Sequence, residues 1–196
     1  MDQAAAFEML TRDDKRPLLV LRECDSCKGT EDAFLSREFD NEKTTLYGRW
    51  FHAVKFAPDV LDETHAYHTL FGNDDPPHLF VASADGKTIV TLSGAQSQAE
   101  LWKAMNKVLK SAYKKSPDKA VKEFRKLLDK LDHLDSMLEM VDQQIMDERV
   151  ANGPDSRGLK KLDKRKDDLV EERDEALEKG AKLDDLQLKP EPKTKR

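Results

Sequence analysis

Residues 17–27 read PLLVLRECDSC and combine an apolar run with a pair of cysteines. Four apolar residues in a row, 18–21, follow a proline and precede charged residues, which predicts a strand buried on both faces. Cys24 and Cys27 come directly after it and are the only cysteines in the chain. Two cysteines with this spacing at the first turn of a helix bring their sulfurs within bonding distance, and the helix start favours the thiolate. We therefore predict a redox-active pair in which Cys24 attacks and Cys27 resolves.

The sequence around this pair resembles the thioredoxin family over roughly the first 115 residues. The segment AFEMLTRDDKRPLLVLRECDSCKG has the family's order of helix, lysine-arginine-proline turn, buried strand and CxxC. The segment DPPHLFVASADGKTIVTLSGAQSQAELWKAMNKVL is similar to the family's closing half, with Pro77 at the position of its cis-proline. The resemblance implies an α/β thioredoxin-like domain, residues 1–115, with a central mixed sheet flanked by helices. It also implies thiol–disulfide oxidoreductase activity on protein dithiols and disulfides, with Pro77 shaping the substrate groove and no cofactor.

The chain departs from the family pattern at three places beside the motif. Glu23 stands where the family usually has tryptophan, and Asp25-Ser26 replaces the familiar Gly-Pro. Leu18 stands roughly where many thioredoxins bury a carboxylate. A second hypothesis therefore stays open, in which the chain is a non-catalytic thioredoxin-like scaffold that works through its C-terminal part.

The rest of the first 115 residues supplies further elements of one α/β domain. Apolar periodicity and turn residues predict helices and strands at residues 3–12, 46–56, 79–82, 88–92 and 99–113. The first helix should bury a stripe made of Ala5, Ala6, Met9 and Leu10. Residues 46–56 are aromatic and β-branched enough for a strand, and the thioredoxin resemblance implies that this strand is the central one. Asp85-Gly86 should make the tight turn of a hairpin between the next two strands.

Four histidines lie in this part of the chain. His65 and His68 would share one face of a helix and His78 follows Pro77, so these three and the cysteines could in principle hold a metal ion. Their spacing matches no ligand pattern of a known metal site, and we predict none. His52 shares a strand face with other large side chains, which predicts a packed, hydrogen-bonded residue rather than a ligand.

Composition changes after residue 115, where charged residues dominate and Phe124 is the only aromatic residue. We predict that residues 116–185 form an antiparallel helical hairpin (coiled coil) whose two helices are separated at residues 152–155. We predict that residues 186–196 form a disordered tail. The inward positions of the hairpin's helices recur at spacings of three and four. Those of the first helix are Ala120, Phe124, Leu127, Leu131, Leu134, Leu138, Val141 and Ile145. Those of the second helix are Leu159, Leu162, Lys166, Leu169, Arg173, Ala176, Gly180 and Leu183.

Folding the chain back at this break sets Val141 against Lys166 and Leu134 against Arg173. In these two pairs, which we call the two steps of the apolar seam, the residue of the first helix lacks an apolar partner in the second. The aliphatic stems of lysine and arginine could cover them, or a second copy of the chain could. Because a fully buried leucine contributes roughly 1.5–3 kcal/mol and a two-helix hairpin is narrow, we predict a homodimer formed through the hairpin.

Charge and composition argue against other classes of function. The formal net charge is −5 with both signs interleaved, so no basic surface for nucleic acid stands out. No stretch approaches the roughly 20 apolar residues needed to cross a bilayer. We predict a soluble protein with no nucleic-acid or membrane partner. The lack of an export signal predicts a cytoplasmic location, with the periplasm as the alternative if a signal peptide has been removed.

Overall fold

The computed structural model describes residues 1–23, 41–72, 76–92 and 96–190. The chain divides into two compact units. The first unit is Met1–Val121 together with the C-terminal segment that begins at Leu186, and the second unit is Lys122–Asp185.

A four-stranded mixed sheet forms the centre of the first unit. Its strands lie in the order β2-β1-β3-β4, and their bounds are β1 Leu18–Arg22, β2 His52–Phe56, β3 Leu79–Ala82 and β4 Ile89–Leu92. β1 runs parallel to β2 and antiparallel to β3, and β3 runs antiparallel to β4. Leu18 and Val20 are fully buried, which fits the apolar run that predicted β1. The mixed α/β class is confirmed.

Three α-helices of the first unit accompany this sheet in the described residues: α1 (Gln3–Leu10), α2 (Glu42–Gly48) and α3 (Gln98–Ala112). Two short 3₁₀ helices, Pro58–Leu61 and His68–Leu70, lie between β2 and β3. α3 begins at a capping box, in which the Ser97 hydroxyl and the Glu100 carboxylate each accept from the other's backbone N–H. Its buried residues are Leu101, Ala104, Met105, Val108 and Leu109.

The buried face of α1 differs from the predicted stripe. Ala6 and Phe7 are buried, whereas Met9 is 46% exposed. Phe7 packs on the turn between β3 and β4, where Gly86 has a φ of +67° and a Cβ would come within 2.5–2.8 Å of the Phe7 ring. The turn therefore requires glycine at this position for two reasons, its backbone conformation and the close approach of the Phe7 ring. This contact brings Phe7 rather than Met9 into the core.

The strand predicted over residues 46–56 is shorter and lies elsewhere in the sheet. Residues 46–48 belong to α2, whose buried residues Thr44, Leu46 and Tyr47 follow helical rather than alternating spacing. Only His52–Phe56 is a strand, and β2 is an edge strand of the described sheet rather than its centre. Within β2 the predicted alternation holds, because Ala53 and Lys55 are exposed and the intervening residues are not.

The second unit contains most of a helical hairpin made of α4 (Pro117–Asn152) and α5 (Arg157–Asp184). The predicted break is confirmed: Gly153 has a φ of +80°, and the Ser156 hydroxyl caps α5 by accepting from the N–H of Gly158 at 2.9 Å. All the predicted inward positions of α5 are buried or half-buried, including Lys166 and Arg173.

The two steps that motivated the homodimer are covered within one chain. Val141 is 0% and Leu134 is 3% exposed. Lys166 Nζ donates to Asp142 Oδ1 at 2.6 Å and Arg173 Nε donates to Asp135 Oδ1 at 2.7 Å. These ion pairs agree with the predicted register and leave the lysine and arginine stems over the apolar seam. The premise of incompletely covered steps was therefore wrong.

Asp118 binds the first turn of α4 to the other helices of the first unit. Its carboxylate accepts hydrogen bonds from Tyr47 in α2 and from Asn106 in α3, and it pairs with Lys110 at 3.0 Å. Burial alone would raise the pKa of Asp118, but these hydrogen bonds outweigh it and hold that pKa below its usual value of 3.8. Burial and the neighbouring carboxylate raise the pKa of Tyr47. The start of the long helix is thus part of the α/β unit.

Residues 186–190, which the sequence assigned to a disordered tail, are bound to the end of α3. Leu186 is 2% exposed. Its carbonyl accepts from the N–H of Lys115 at 3.1 Å, and the Gln187 carbonyl accepts from the N–H of Lys114 at 2.9 Å. Lys189 Nζ donates to the last carbonyls of α3, as expected for a cation at a helix C-terminus. Residues 191–196 lie outside the described residues.

Candidate functional site

The two predicted catalytic cysteines, Cys24 and Cys27, lie outside the described residues. The strand that leads to them is described to its end. β1 ends at Arg22, and the N–H of Glu23 donates to the Phe56 carbonyl at 2.9 Å. The backbone is therefore held by β2 up to the residue before Cys24.

Pro77, the third predicted site residue, lies beside this end of β1. Because β1 and β3 are antiparallel, the residues that precede β3 face the residues that end β1. The N–H of Arg22 donates to the His78 carbonyl at 2.8 Å. Pro77 is buried. The fold thus brings Pro77 to the strand end from which the cysteine motif starts.

The side chain of Arg22 strengthens this contact. It is 6% exposed, which is unusual for an arginine. Its Nη2 donates to the Pro76 carbonyl at 3.0 Å, and its Nε donates to the Pro77 carbonyl at 3.4 Å. Nη2 also lies 3.1 Å from His78 Nδ1, which can accept this bond only when that nitrogen carries no proton. Sequence analysis did not single out Arg22, because a charged residue after an apolar run usually indicates only the end of a strand.

The Pro76–Pro77 peptide bond is not cis. No cis peptide bond occurs among the described residues, which include both prolines. The cis bond that the thioredoxin resemblance implies at Pro77 is therefore not found. An X-Pro bond prefers trans by only about 0.5–1 kcal/mol, so its surroundings decide between the forms. Here Arg22 holds the carbonyls of both prolines.

An exposed ion pair lies at the end of β1. Glu23, which stands where the thioredoxin resemblance implies a tryptophan, pairs with Lys55 on β2. Their side chains are 44% and 63% exposed, so solvent screens the pair and it contributes little to stability. It places one carboxylate and one ammonium group at the end of β1, where the description of this segment stops.

The structure describes all four histidines that were weighed as metal ligands. Among the described residues, no group of three or more histidine, cysteine or acidic side chains is placed to hold a metal ion. His65 packs edge-on against Phe56 with ring centroids 6.3 Å apart. His52 Nδ1 lies 4.0 Å from an Asp14 oxygen and has no hydrogen-bond partner in the described part of the chain. His52 is half-buried on its strand, and the hydrogen bond that the sequence predicted is not found at this nitrogen.

Comparison with known proteins adds no family to this description. No protein-family model, curated protein or solved structure matches the chain. None of the helices in the described ranges is both long and apolar enough to cross a membrane. The functional argument therefore depends on the residues and their arrangement.

Proposed function

We propose that the first unit is a thiol–disulfide oxidoreductase domain of the thioredoxin type, with Cys24 as the attacking thiolate and Cys27 as the resolving thiol. The observation that carries this proposal is the position of Pro77. Hydrogen bonds from Arg22 bring residues 76–78 to the end of the strand that leads into Cys24. A motif of two cysteines and a proline that faces it from a neighbouring strand is the arrangement that the thioredoxin resemblance implies.

The order of the strands supports the same assignment. β1 and β2 are parallel neighbours, β3 and β4 form an antiparallel hairpin on the other side of β1, and α3 follows. This is the sequence of elements expected for a thioredoxin-like domain. In parallel α/β arrangements, functional groups lie at the carboxyl ends of the strands. The cysteine motif follows the carboxyl end of β1.

The chemistry of the proposed reaction follows from thiol–disulfide exchange. The thiolate of Cys24 attacks one sulfur of a substrate disulfide, and the other substrate sulfur leaves as a thiolate. The Cys27 thiolate then attacks the Cys24 sulfur of the mixed disulfide and releases the second substrate thiolate. The substrate gains two electrons, and the protein is left with a Cys24–Cys27 disulfide. The same steps in reverse would oxidise a protein dithiol.

The backbone beside the motif offers a substrate strand few groups to pair with. Pro76 and Pro77 have no N–H group, and both of their carbonyls already accept hydrogen bonds from Arg22. Any backbone N–H that pairs with a substrate strand at this segment must therefore come from neighbouring residues. We expect recognition of the substrate to depend less on backbone hydrogen bonds at Pro76 than the family resemblance implies.

The test uses two serine variants of the full chain in a disulfide-reduction assay. Cys24→Ser should abolish reductase activity, because it removes the sulfur that makes the first bond. Cys27→Ser should accumulate mixed disulfides that a reducing agent releases, because the resolving step is lost. Wild-type turnover by Cys24→Ser would contradict the proposal.

A second candidate function is a non-catalytic protein that acts through its helical hairpin. The observation in its favour is that residues 122–185 form a compact unit of their own. The two candidates differ in the reactivity of Cys24. An active thiolate alkylates quickly below neutral pH, whereas an idle thiol keeps a pKa near 8.5.

A further inference from the structure

We propose that the outer face of α5 binds the same face of a second copy of the chain, with the two helices antiparallel and related by a two-fold axis. The outer face is the side of α5 that points away from the seam. This inference does not depend on the proposed function, because it concerns only the charges of the second unit. It depends on charge complementarity between the two halves of one helix face.

The charge of the outer face changes sign along its length. Six charged residues define this face: Arg157, Lys160, Lys164, Glu171, Glu175 and Glu178. Their spacings of three, four and seven residues set them on one side of an α-helix. All six are exposed, whereas the seam positions Leu159 and Ala176 are buried. The outer face is thus cationic over its first turns and anionic over the rest.

This separation of charge does not stabilise α5 by itself. Cations in the first turn oppose the helix dipole, and α5 has no acidic residue there. Like charges three or four residues apart repel one another. In α4, by contrast, opposite charges lie close together, and Lys126 pairs with Glu123 at 2.8 Å. Among the described residues, only Glu178 of the outer face has an ion-pair partner, Lys182 at 3.9 Å. The other charges of this face are therefore available to a partner.

A second copy supplies the complementary pattern. In an antiparallel two-fold pair, the cationic half of each outer face lies opposite the anionic half of the other. With the axis between residues 167 and 168, Lys160 lies opposite Glu175 of the second copy. Lys164 then lies opposite Glu171 of the second copy, and the outermost pair also joins a cation to a carboxylate. A parallel pair would set every residue against its own copy, and the like charges would repel.

The same charges limit the strength of the contact. Solvent screens exposed ion pairs, and each contributes little. Asp167 and Asp168 lie at the axis, where they meet carboxylates of the second copy. We therefore expect a dissociation constant on the order of 1 mM. A single chain then dominates at tens of micromolar, and the pair forms only in concentrated protein.

The experiment is sedimentation equilibrium of the full chain from about 20 µM to about 2 mM, with a reducing agent that keeps both cysteines as thiols. At about 20 mM salt the mean mass should rise towards two chains as the concentration increases. At about 300 mM salt the association constant should fall at least about threefold, because salt screens exposed charges.

Two charge-reversed variants test which face is used. The first, Lys160→Glu with Lys164→Glu, makes the outer face mostly anionic. The second, Glu171→Lys with Glu175→Lys, makes it mostly cationic. Each alone sets like charges opposite each other, so its self-association constant should fall at least about tenfold. An equimolar mixture of the two should associate at least as strongly as the wild type, because each face again meets its opposite.

Lys103→Glu with Lys107→Glu is the matched control for the first variant. Both lysines are exposed on α3, outside the second unit, and the double change alters the net charge by the same amount. This control should self-associate within about twofold of the wild type. Far-ultraviolet circular dichroism checks that each variant keeps its helices.

The expected result is association that each charge-reversed variant loses and that their mixture recovers. A contact through any other surface would not respond in this way. A mass of one chain at every concentration of the wild type at low salt would overturn the inference. It would also be overturned if both variants associated as well as the wild type, if their mixture failed to associate, or if the control weakened association as much as the first variant.

Discussion

Leu186→Ala should destabilise the α/β unit although Leu186 follows the helical hairpin in the chain. The Leu186 side chain is 2% exposed, and truncation of a fully buried leucine costs about 2–5 kcal/mol. Leu188→Ala is a matched control two residues further on. It removes the same atoms from a side chain that is 39% exposed, so it should cost no more than about 1 kcal/mol.

The assay is urea unfolding followed by tryptophan fluorescence. The two tryptophans of the chain, Trp50 and Trp102, both belong to the first unit. Fluorescence therefore reports this unit, while far-ultraviolet ellipticity is dominated by α4 and α5. With a slope of about 2 kcal/mol per molar urea, Leu186→Ala should lower the fluorescence midpoint by about 1–2.5 M. Equal midpoints for the Leu186→Ala and Leu188→Ala variants would refute the return of the chain to the α/β unit.

Two further predictions concern Asp118 and the oligomeric state. Tyr47→Phe removes a hydrogen bond to the Asp118 carboxylate and should cost about 1–3 kcal/mol at neutral pH. Because the folded pKa of Asp118 is lowered from 3.8, its charge stabilises the fold above that value, and the difference between wild type and Tyr47→Phe in acid-range unfolding should shrink as the pH falls below it. Since Val141 and Leu134 are buried within one chain, we expect light scattering with size exclusion to give the mass of a single chain at tens of micromolar. A mass of two chains would restore the homodimer that the sequence predicted.

The elements that could be predicted from sequence are those with strong local signals. The apolar run 18–21 marks β1, because continuous burial on both faces of a strand needs such a run. Gly86 and Gly153 mark the two sharp turns, because each adopts a positive φ that other residues rarely take. The seam of the hairpin was predictable because its period of three and four recurs over many turns.

The elements that were mispredicted depend on contacts far away in the chain. Residues 46–48 read LYG, which alone does not decide between a short helix and a strand, and the partly buried hydrogen bond of Tyr47 to Asp118 is absent from any local pattern. The inward face of α1 depends on the space above Gly86. Burial of Leu186 likewise depends on Lys114 and Lys115, which pair with the segment that follows α5.

The residues of the candidate site also differ in whether local sequence or distant contacts identify them. Cys24, Cys27 and Pro77 were named from spacing and resemblance, because a CxxC motif and a proline are visible in the sequence itself. Arg22 was not, because what distinguishes it is burial against carbonyls more than fifty residues away. The sequence shows only its charge, and a charge at a strand end is most often solvated.

The hairpin shows why a correct register can still be combined with a wrong premise about which apolar residues are left uncovered. The expected pairing of Val141 with Lys166 and of Leu134 with Arg173 agrees with the observed ion pairs. The error lay in treating a charged residue as a gap in the seam. Lys166 and Arg173 are half-buried. Their heads reach Asp142 and Asp135, each one residue beyond the seam position, so their stems must cross the apolar surface on the way. A carboxylate next to each apolar step therefore lets a cation close the seam without a second chain.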